Sequence, residues 1–262
     1  MIDEMDLDDE QDEVLPVLKP FSTLGYFFIR PRRTIKAITL NEKAIWLLPL
    51  ALLMLTAFVL TLVTASIENQ SNQGFEMPPD MEYYPDSIQD RFSEAASVSG
   101  GFASRVLLPT LLRWAGIWIN WALLAVLVMI FLMAGGHSLE WRNVFNLIGW
   151  SMLPFFVRDL VQAGYMLGSQ NLISQPGLSG FLAAGGGDFT AYLAHVLALI
   201  DIYLVLQIIL ISMGLRGAAH LKPIRAFIMS FLSIVLLRLI WAIPGYLLER
   251  LSGIFNSSMF YF

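Results

Sequence analysis

The 262-residue chain contains no cysteine. Disulfide bonds, thiolate metal sites, iron–sulfur clusters and cysteine nucleophiles are therefore excluded. Charged residues are also scarce: they make up 14% of the chain, against about 25% in soluble domains. Hydrophobic residues make up 56%, where about 45–50% is usual. These proportions exclude an ordinary water-soluble domain and predict a membrane protein.

Basic residues are missing from the first 13 positions, which hold eight acids. The other 249 residues carry 16 basic and 13 acidic groups, a net charge of +3. Like charges repel and apolar residues are few there, so we expect residues 1–20 to form a disordered acidic tail. No basic face is large enough to neutralise many phosphates, so nucleic acid is not an expected partner.

Five stretches are long enough to cross a bilayer, which takes about 20 mostly apolar helical residues. They cover residues 44–65, 114–133, 145–167, 189–215 and 227–248. We therefore expect an all-α bundle of five transmembrane helices within residues 44–252. Loop 66–104 and tail 253–262 would then lie outside, and residues 1–20 on the cytoplasmic side.

The orientation rests on lysine and arginine near the span ends, which favour the cytoplasmic side. Nine of these residues fall on one side: Arg30, Arg32, Arg33, Lys36, Lys43, Arg142, Arg216, Lys222 and Arg225. Four fall on the other side: Arg91, Arg105, Arg113 and Arg250. This excess of basic residues predicts a cytoplasmic N-terminus. Arg113 is expected to flank the second span, with its side chain extending to the outer membrane interface.

Residues 21–43 are expected to form an amphipathic segment at the membrane surface, because Pro31 can open a helix there. Its basic residues would face anionic lipid headgroups: Arg30, Arg32, Arg33 and Lys36. Ile35, Ile38 and Leu40 would be buried shallowly in the lipid.

The last three spans contain four charged residues: Arg158, Asp159, Asp201 and Arg238. At about 1.5 Å per helical residue, they lie roughly 20–24 Å from the basic residues that flank their spans. Since their charges sum to zero, we predict one interhelical network. It could be a structural contact between spans, or a proton or ion relay.

The sequence contains no phosphate-binding P-loop motif, no paired-histidine zinc motif and no glycine-rich dinucleotide-binding turn. Residues 177–180 (GLSG) match the nucleophile pattern of rhomboid intramembrane proteases, and His220 lies next to small residues, as the base of those enzymes does. The predicted topology puts Ser179 and His220 on opposite sides of the membrane, beyond hydrogen-bond reach. We expect no enzyme, no catalytic residue, no cofactor and no metal.

Three stretches together resemble the Yip family, the Ypt/Rab-interacting membrane proteins. They are residues 27–38 (FFIRPRRTIKAI), 135–155 (GGHSLEWRNVFNLIGWSMLPF) and 201–227 (DIYLVLQIILISMGLRGAAHLKPIRAF). The resemblance runs from Phe21 to about Leu248 and is nearest to the bacterial branch. It implies a five-span helical bundle with a cytoplasmic N-terminus, and it supplies no catalytic residue.

The resemblance also implies partners, because eukaryotic relatives bind Rab GTPases and some bacterial members look like accessory subunits of ABC-type export systems. We therefore expect a non-enzymatic, multi-pass protein of the bacterial inner membrane that acts through protein contacts as a scaffold or accessory subunit. The alternative is a transporter or permease that uses the intramembrane charges. Membrane lipids and a protein in the membrane are the expected partners.

Overall fold

The computed structural model describes residues 20–71, 83, 85–90, 101–173, 177–181 and 188–258. The acidic tail and most of loop 66–104 lie outside these residues. The main helices are α1 (Pro20–Ile29), α2 (Pro31–Thr39), α3 (Leu47–Ser71), α4 (Leu108–Ala134), α5 (Trp141–Ser151), α6 (Leu153–Ser169), α7 (Asp188–Ala198), α8 (Ile202–Ala219) and α9 (Pro223–Ser258). No strand occurs in the described ranges.

Five helical stretches are long and apolar enough to cross a membrane: Leu47–Glu68, Ala103–Ala134, Trp141–Ser169, Ile202–Ala219 and Pro223–Leu247. The predicted all-α, five-span class is confirmed. The second stretch begins with a π-helical turn, Ala103–Leu107. The third joins α5 to α6 across Met152, just before Pro154, which lacks the N–H that a continuous helix would need.

The third span lies at the centre of the bundle. Its most apolar stretch is 67% buried, against 33–44% for the other four spans. Asn146 on α5 fixes the start of α3, because its side-chain amide donates to the carbonyl of Lys43 and accepts from the backbone N–H of Ile45. On another face, α5 meets α8 so closely that a Cβ on Gly214 would overlap a methyl of Leu147.

The fourth span is not the single helix expected over residues 189–215. It divides into α7 and α8, and only α8 is long enough to cross a membrane by itself. The helical pattern is interrupted at residues 199–201, where Asp201 adopts an extended backbone and caps α8. An aspartate side chain competes for nearby backbone N–H groups, which favours a helix start over a helix interior.

The segment over residues 21–43 forms α1 and α2, with Pro31 opening α2 as predicted. The expectation that Ile35 and Ile38 are buried in lipid is wrong. Both side chains are fully buried in the protein, because α2 packs against α5 and α8. Of the three apolar residues named for this segment, only Leu40 remains exposed. The surface segment is therefore part of the bundle.

The basic residues that predict the cytoplasmic side share one end of the bundle, which we call the basic end. The ends of α4 and α8 and the starts of α3, α5 and α9 meet there, because successive spans alternate in direction. Helix α2 also lies at this end, with the Lys36 side chain against Gly217 of α8. At the opposite end, α9 continues through residues 253–258, which were expected to belong to a tail.

Candidate functional site

The break between α7 and α8 places a carboxylate inside the bundle. Asp201 is the N-cap of α8, and its Oδ1 accepts a hydrogen bond of 2.8 Å from the backbone N–H of Leu204. This bond satisfies one of the N–H groups that a helix start leaves without a partner. The partial positive charge at the helix start also stabilises the carboxylate.

A turn from the preceding loop closes the other side of this break. The backbone N–H of Leu178 donates to the carbonyls of Leu197 and Ile200, at 2.9 and 3.1 Å. Gly177 allows this approach with a φ of +60°, and a Cβ there would lie 2.6–2.7 Å from three carbonyl oxygens. Unpaired carbonyls are costly in an apolar environment, so the turn stabilises the interruption.

Arg158 on α6 binds both acids of the predicted network. Its Nε and one terminal nitrogen lie 3.1 and 3.0 Å from Oδ1 of Asp159. Its other terminal nitrogen lies 3.6 Å from Oδ2 of Asp201. The side chain of Asp159 is 8% exposed and that of Asp201 is 20% exposed. One guanidinium therefore ties α6 to the start of α8.

Arg238 on α9 lies near Arg158, but it forms no ion pair with any acid in the described residues. Its guanidinium carbon lies 5.6 Å from the centroid of the Phe155 ring, and that of Arg158 lies 4.8 Å from it. The two cations thus share one aromatic side chain. The Nε atom of Arg238 is buried without a hydrogen-bond partner.

We call Arg158, Asp159, Asp201, Arg238 and the charged residue that joins them, Arg113, the charge cluster. The sequence pattern did not reveal Arg113 or two neighbours of the cluster, Thr56 and Phe155. Arg113 of α4 interacts electrostatically with Asp159, and the hydroxyl of Thr56 on α3 faces the same carboxylate. The uncharged run begins at Trp114, which placed Arg113 outside the predicted span. Helix α4 begins at Leu108 and includes it. Phe155 gave no sequence signal, because only folding brings its ring against both arginines.

Further polar groups are buried in the same spans with no hydrogen-bond partner. Gln207, on α8, is fully buried, and neither atom of its amide has a partner. Asn120 of α4 has an unpartnered oxygen, and Trp241 of α9 has an unpartnered indole N–H. Native proteins contain few such groups. The interior of the bundle is therefore more polar than its hydrogen bonds account for.

At the basic end, the four basic residues predicted for the membrane surface are exposed: Arg30, Arg32, Arg33 and Lys36. The stretch from Arg30 to Arg33 borders a shallow open depression. Beside it, α1 exposes Tyr26, Phe28 and Ile29, at 56%, 55% and 74% of their surfaces. We call these seven residues the basic-aromatic face. Basic and aromatic side chains together are typical of a membrane–water boundary.

The comparisons with known proteins decide the family. The Yip1 domain model matches residues 25–243, most of the chain, including α2 and nearly all of the five spans. The chain belongs to the Yip1 family. No curated protein and no solved structure matched it. The Yip1 domain confirms the resemblance found in the three sequence stretches, and its family consists generally of membrane proteins without catalytic activity.

Within this Yip1 domain, the protease-like residues are far apart. Ser179 lies in the turn that contacts the end of α7, whereas His220 caps the other end of α8 at the basic end. The 18 residues of α8 separate these levels by about 27 Å, at 1.5 Å per residue. Among the described residues, no group of three metal-binding side chains forms.

Proposed function

We propose that this Yip1 protein is a non-enzymatic membrane scaffold or accessory subunit that acts through protein contacts. It lies in the bacterial inner membrane with its N-terminus in the cytoplasm, so its basic end faces the cytoplasm. The observation that carries this proposal is the packing of α1 and α2, which carry the basic-aromatic face, against the bundle. Because this packing fixes the two helices before any partner binds, less backbone entropy is lost on binding.

The attachment is made by the buried sides of α1 and α2. Ile35 and Ile38 are fully buried between neighbouring helices. Phe27 of α1 is 4% exposed, although its neighbour Phe28 is exposed, and it packs on Trp150 of α5 with ring centroids 5.9 Å apart. The face is therefore continuous with the central span.

The charge cluster supports the same proposal, because Arg158 holds both acids and joins two spans. Charges used in this way stabilise one arrangement of helices. The exposed arginines suit an acidic protein surface, and Tyr26, Phe28 and Ile29 suit the adjoining lipid headgroups. A subunit of an ABC-type export system is the partner class that the family resemblance implies.

The test is purification of the tagged protein from native membranes in mild detergent, followed by mass spectrometry of the proteins that accompany it. We expect a stoichiometric membrane or ATPase subunit with the wild type. The charge reversal Arg32→Glu with Arg33→Glu should remove that subunit. The matched control is Arg225→Glu, an exposed arginine at the same end but on α9. A second variant lacking residues 1–19 tests the acidic tail.

Two results would contradict the proposal. The wild type could purify alone from native membranes, as a monomer or self-associated. Alternatively, the partner could survive the double charge reversal and the tail deletion. The first result would favour independent transport, and the second would place the contact on another surface.

A transporter or permease is the second candidate, favoured by the broken fourth span. Interrupted helices and buried polar groups line binding sites in many transporters, and here Asp201 and Gln207 occupy such positions. The test uses single cysteines in this cysteine-free chain. Transport predicts that a cysteine at Gln207 or Leu204 reacts with a membrane-impermeant thiol reagent, while one at the exposed Val205 does not. Protection at all three positions would exclude a water-accessible path along α8.

A further inference from the structure

Two hydrogen-bond donors on α9 are buried without acceptors. They are Nε of Arg238 and Nε1 of Trp241, and neither has a partner. Residues three apart on a helix lie on neighbouring positions of one face. The two N–H groups therefore come from adjacent turns of one helix. A buried donor without a partner destabilises a protein, so this pair marks a place where an acceptor is expected.

The carboxylates nearby are already engaged. Oδ1 of Asp159 accepts both short hydrogen bonds from Arg158. Asp201 uses one oxygen for the N–H of Leu204 and has the other next to Arg158. Among the described residues, Arg238 forms no ion pair within 4 Å with either acid, and Asp201 acts on it only through a longer-range electrostatic attraction.

The charges of the cluster are also unbalanced. The cluster combines three arginines, Arg113, Arg158 and Arg238, with two aspartates, Asp159 and Asp201. A guanidinium stays protonated in proteins. The balanced set of four predicted from the sequence thus becomes a set of five with one excess positive charge. Uncompensated charge at membrane depth is strongly unfavourable.

We propose that Arg238 and Trp241 bind an oxyanion, a phosphate or carboxylate group, beside the charge cluster. Its oxygens would accept from both N–H groups, and its charge would neutralise the excess. The Phe155 ring, 5.6 Å from the guanidinium carbon of Arg238, holds that group on one side. Planar guanidinium groups bind such anions through two parallel hydrogen bonds. This inference is independent of the proposed function.

The anion has two possible sources, a phospholipid headgroup or a soluble ion. A lipid could approach along α9, where Leu239, Ile240 and Ile243 are 38%, 44% and 45% exposed. A soluble anion would instead enter from the end opposite the basic end. The binding chemistry is the same in both cases, so the experiment has one arm for each source.

The test measures thermal unfolding of the full chain, freed of phospholipid, in a phosphate-free sugar detergent. One arm adds inorganic phosphate against sodium chloride of equal ionic strength, and the other adds mixed micelles of phosphatidylglycerol against uncharged detergent. We expect a concentration-dependent rise in the unfolding temperature in one arm, since a ligand that binds only the folded state stabilises it. Arg238→Gln should abolish the rise. Trp241→Phe should weaken the apparent affinity about tenfold.

The matched control is Arg225→Gln, which removes an exposed arginine from the first turn of the same helix and should retain the full response. Arg238→Lys keeps the charge without the planar group, so a weakened response there supports the site even if Arg238→Gln does not fold. No rise in either arm would overturn the proposal. So would a rise that persists in Trp241→Phe and in whichever Arg238 variants fold.

Discussion

Asp201 is expected to stabilise the fold in two separable ways. Its carboxylate caps α8 and also lies next to Arg158. The substitution Asp201→Asn keeps an acceptor oxygen for the cap and removes only the charge. Asp201→Ala removes the charge and the cap. Comparing the two variants therefore measures each contribution.

The magnitudes follow from exposure. A helix cap contributes about 1 kcal/mol. The side chains of Arg158 and Asp201 are 33% and 20% exposed, so their ion pair lies between a surface pair, worth about 0–1 kcal/mol, and a buried pair, whose disruption costs about 3–5 kcal/mol. We therefore expect the loss of this ion pair to lower the free energy of unfolding by about 2 kcal/mol. Asp201→Asn should then cost about 2 kcal/mol and Asp201→Ala about 3 kcal/mol.

The assay is equilibrium unfolding in detergent, followed by circular dichroism. Glu140→Gln is the matched control, because Glu140 forms an exposed pair with Arg142 and its side chain is 69% exposed. Equal losses of stability for Asp201→Asn and Asp201→Ala would refute the cap. An Asp201→Asn variant as stable as the control would refute the structural role of the pair. If the Asp201→Asn variant were stable but lost a transport activity, a proton or ion relay would replace the structural role of the pair.

Two further predictions concern packing around the central span and use the same assay. Gly214→Ala should destabilise the protein by about 1–3 kcal/mol, because its methyl would collide with the fully buried Leu147. Gly164→Ala, which meets nothing within 4 Å, is the control and should be neutral or slightly stabilising. Gln207→Met should stabilise the protein by about 1–3 kcal/mol, since it removes a buried amide without partners. A loss of stability there would show that a water or ligand satisfies Gln207.

The spans were predictable because a bilayer imposes a simple requirement. Residues 44–65 and 114–133 contain no charged residue, each stretch is long enough to cross the bilayer, and helices cover nearly all of both. The basic end was predictable in the same way, since Arg142, Arg216 and Arg225 flank apolar runs. Length, hydropathy and charge are local properties of the chain, and they require no knowledge of which helices touch.

The break at Asp201 was not predictable from hydropathy alone. Residues 189–215 are apolar enough for one long helix, and His195, Asp201 and Gln207 are spaced along it without a proline. The Asp201 cap satisfies a backbone N–H at the start of α8, and Leu178, from the preceding loop, donates to the carbonyls of Leu197 and Ile200 that the interruption leaves free. Such a contact between distant residues has no signature in a window of sequence.

The predicted burial of Ile35 and Ile38 in lipid was wrong for a related reason. An amphipathic helix with basic residues on one side suits a membrane surface and also suits a protein groove, because both bury its apolar side. Ile35 and Ile38 lie in the groove between α5 and α8, and close packing against Gly217 makes that groove available.

By itself, the sequence determined the helical class, the five spans and the family resemblance, because the bilayer selects for length and polarity along the chain. It also identified the four charged residues within the last three predicted spans. Only the tertiary structure decided how those charges are used. Arg158 takes both acids and Arg238 keeps an unpartnered N–H, while Arg113 joins from a fourth helix. Hydrogen bonds and ion pairs depend on distances of a few ångströms, and such distances are set when the helices pack.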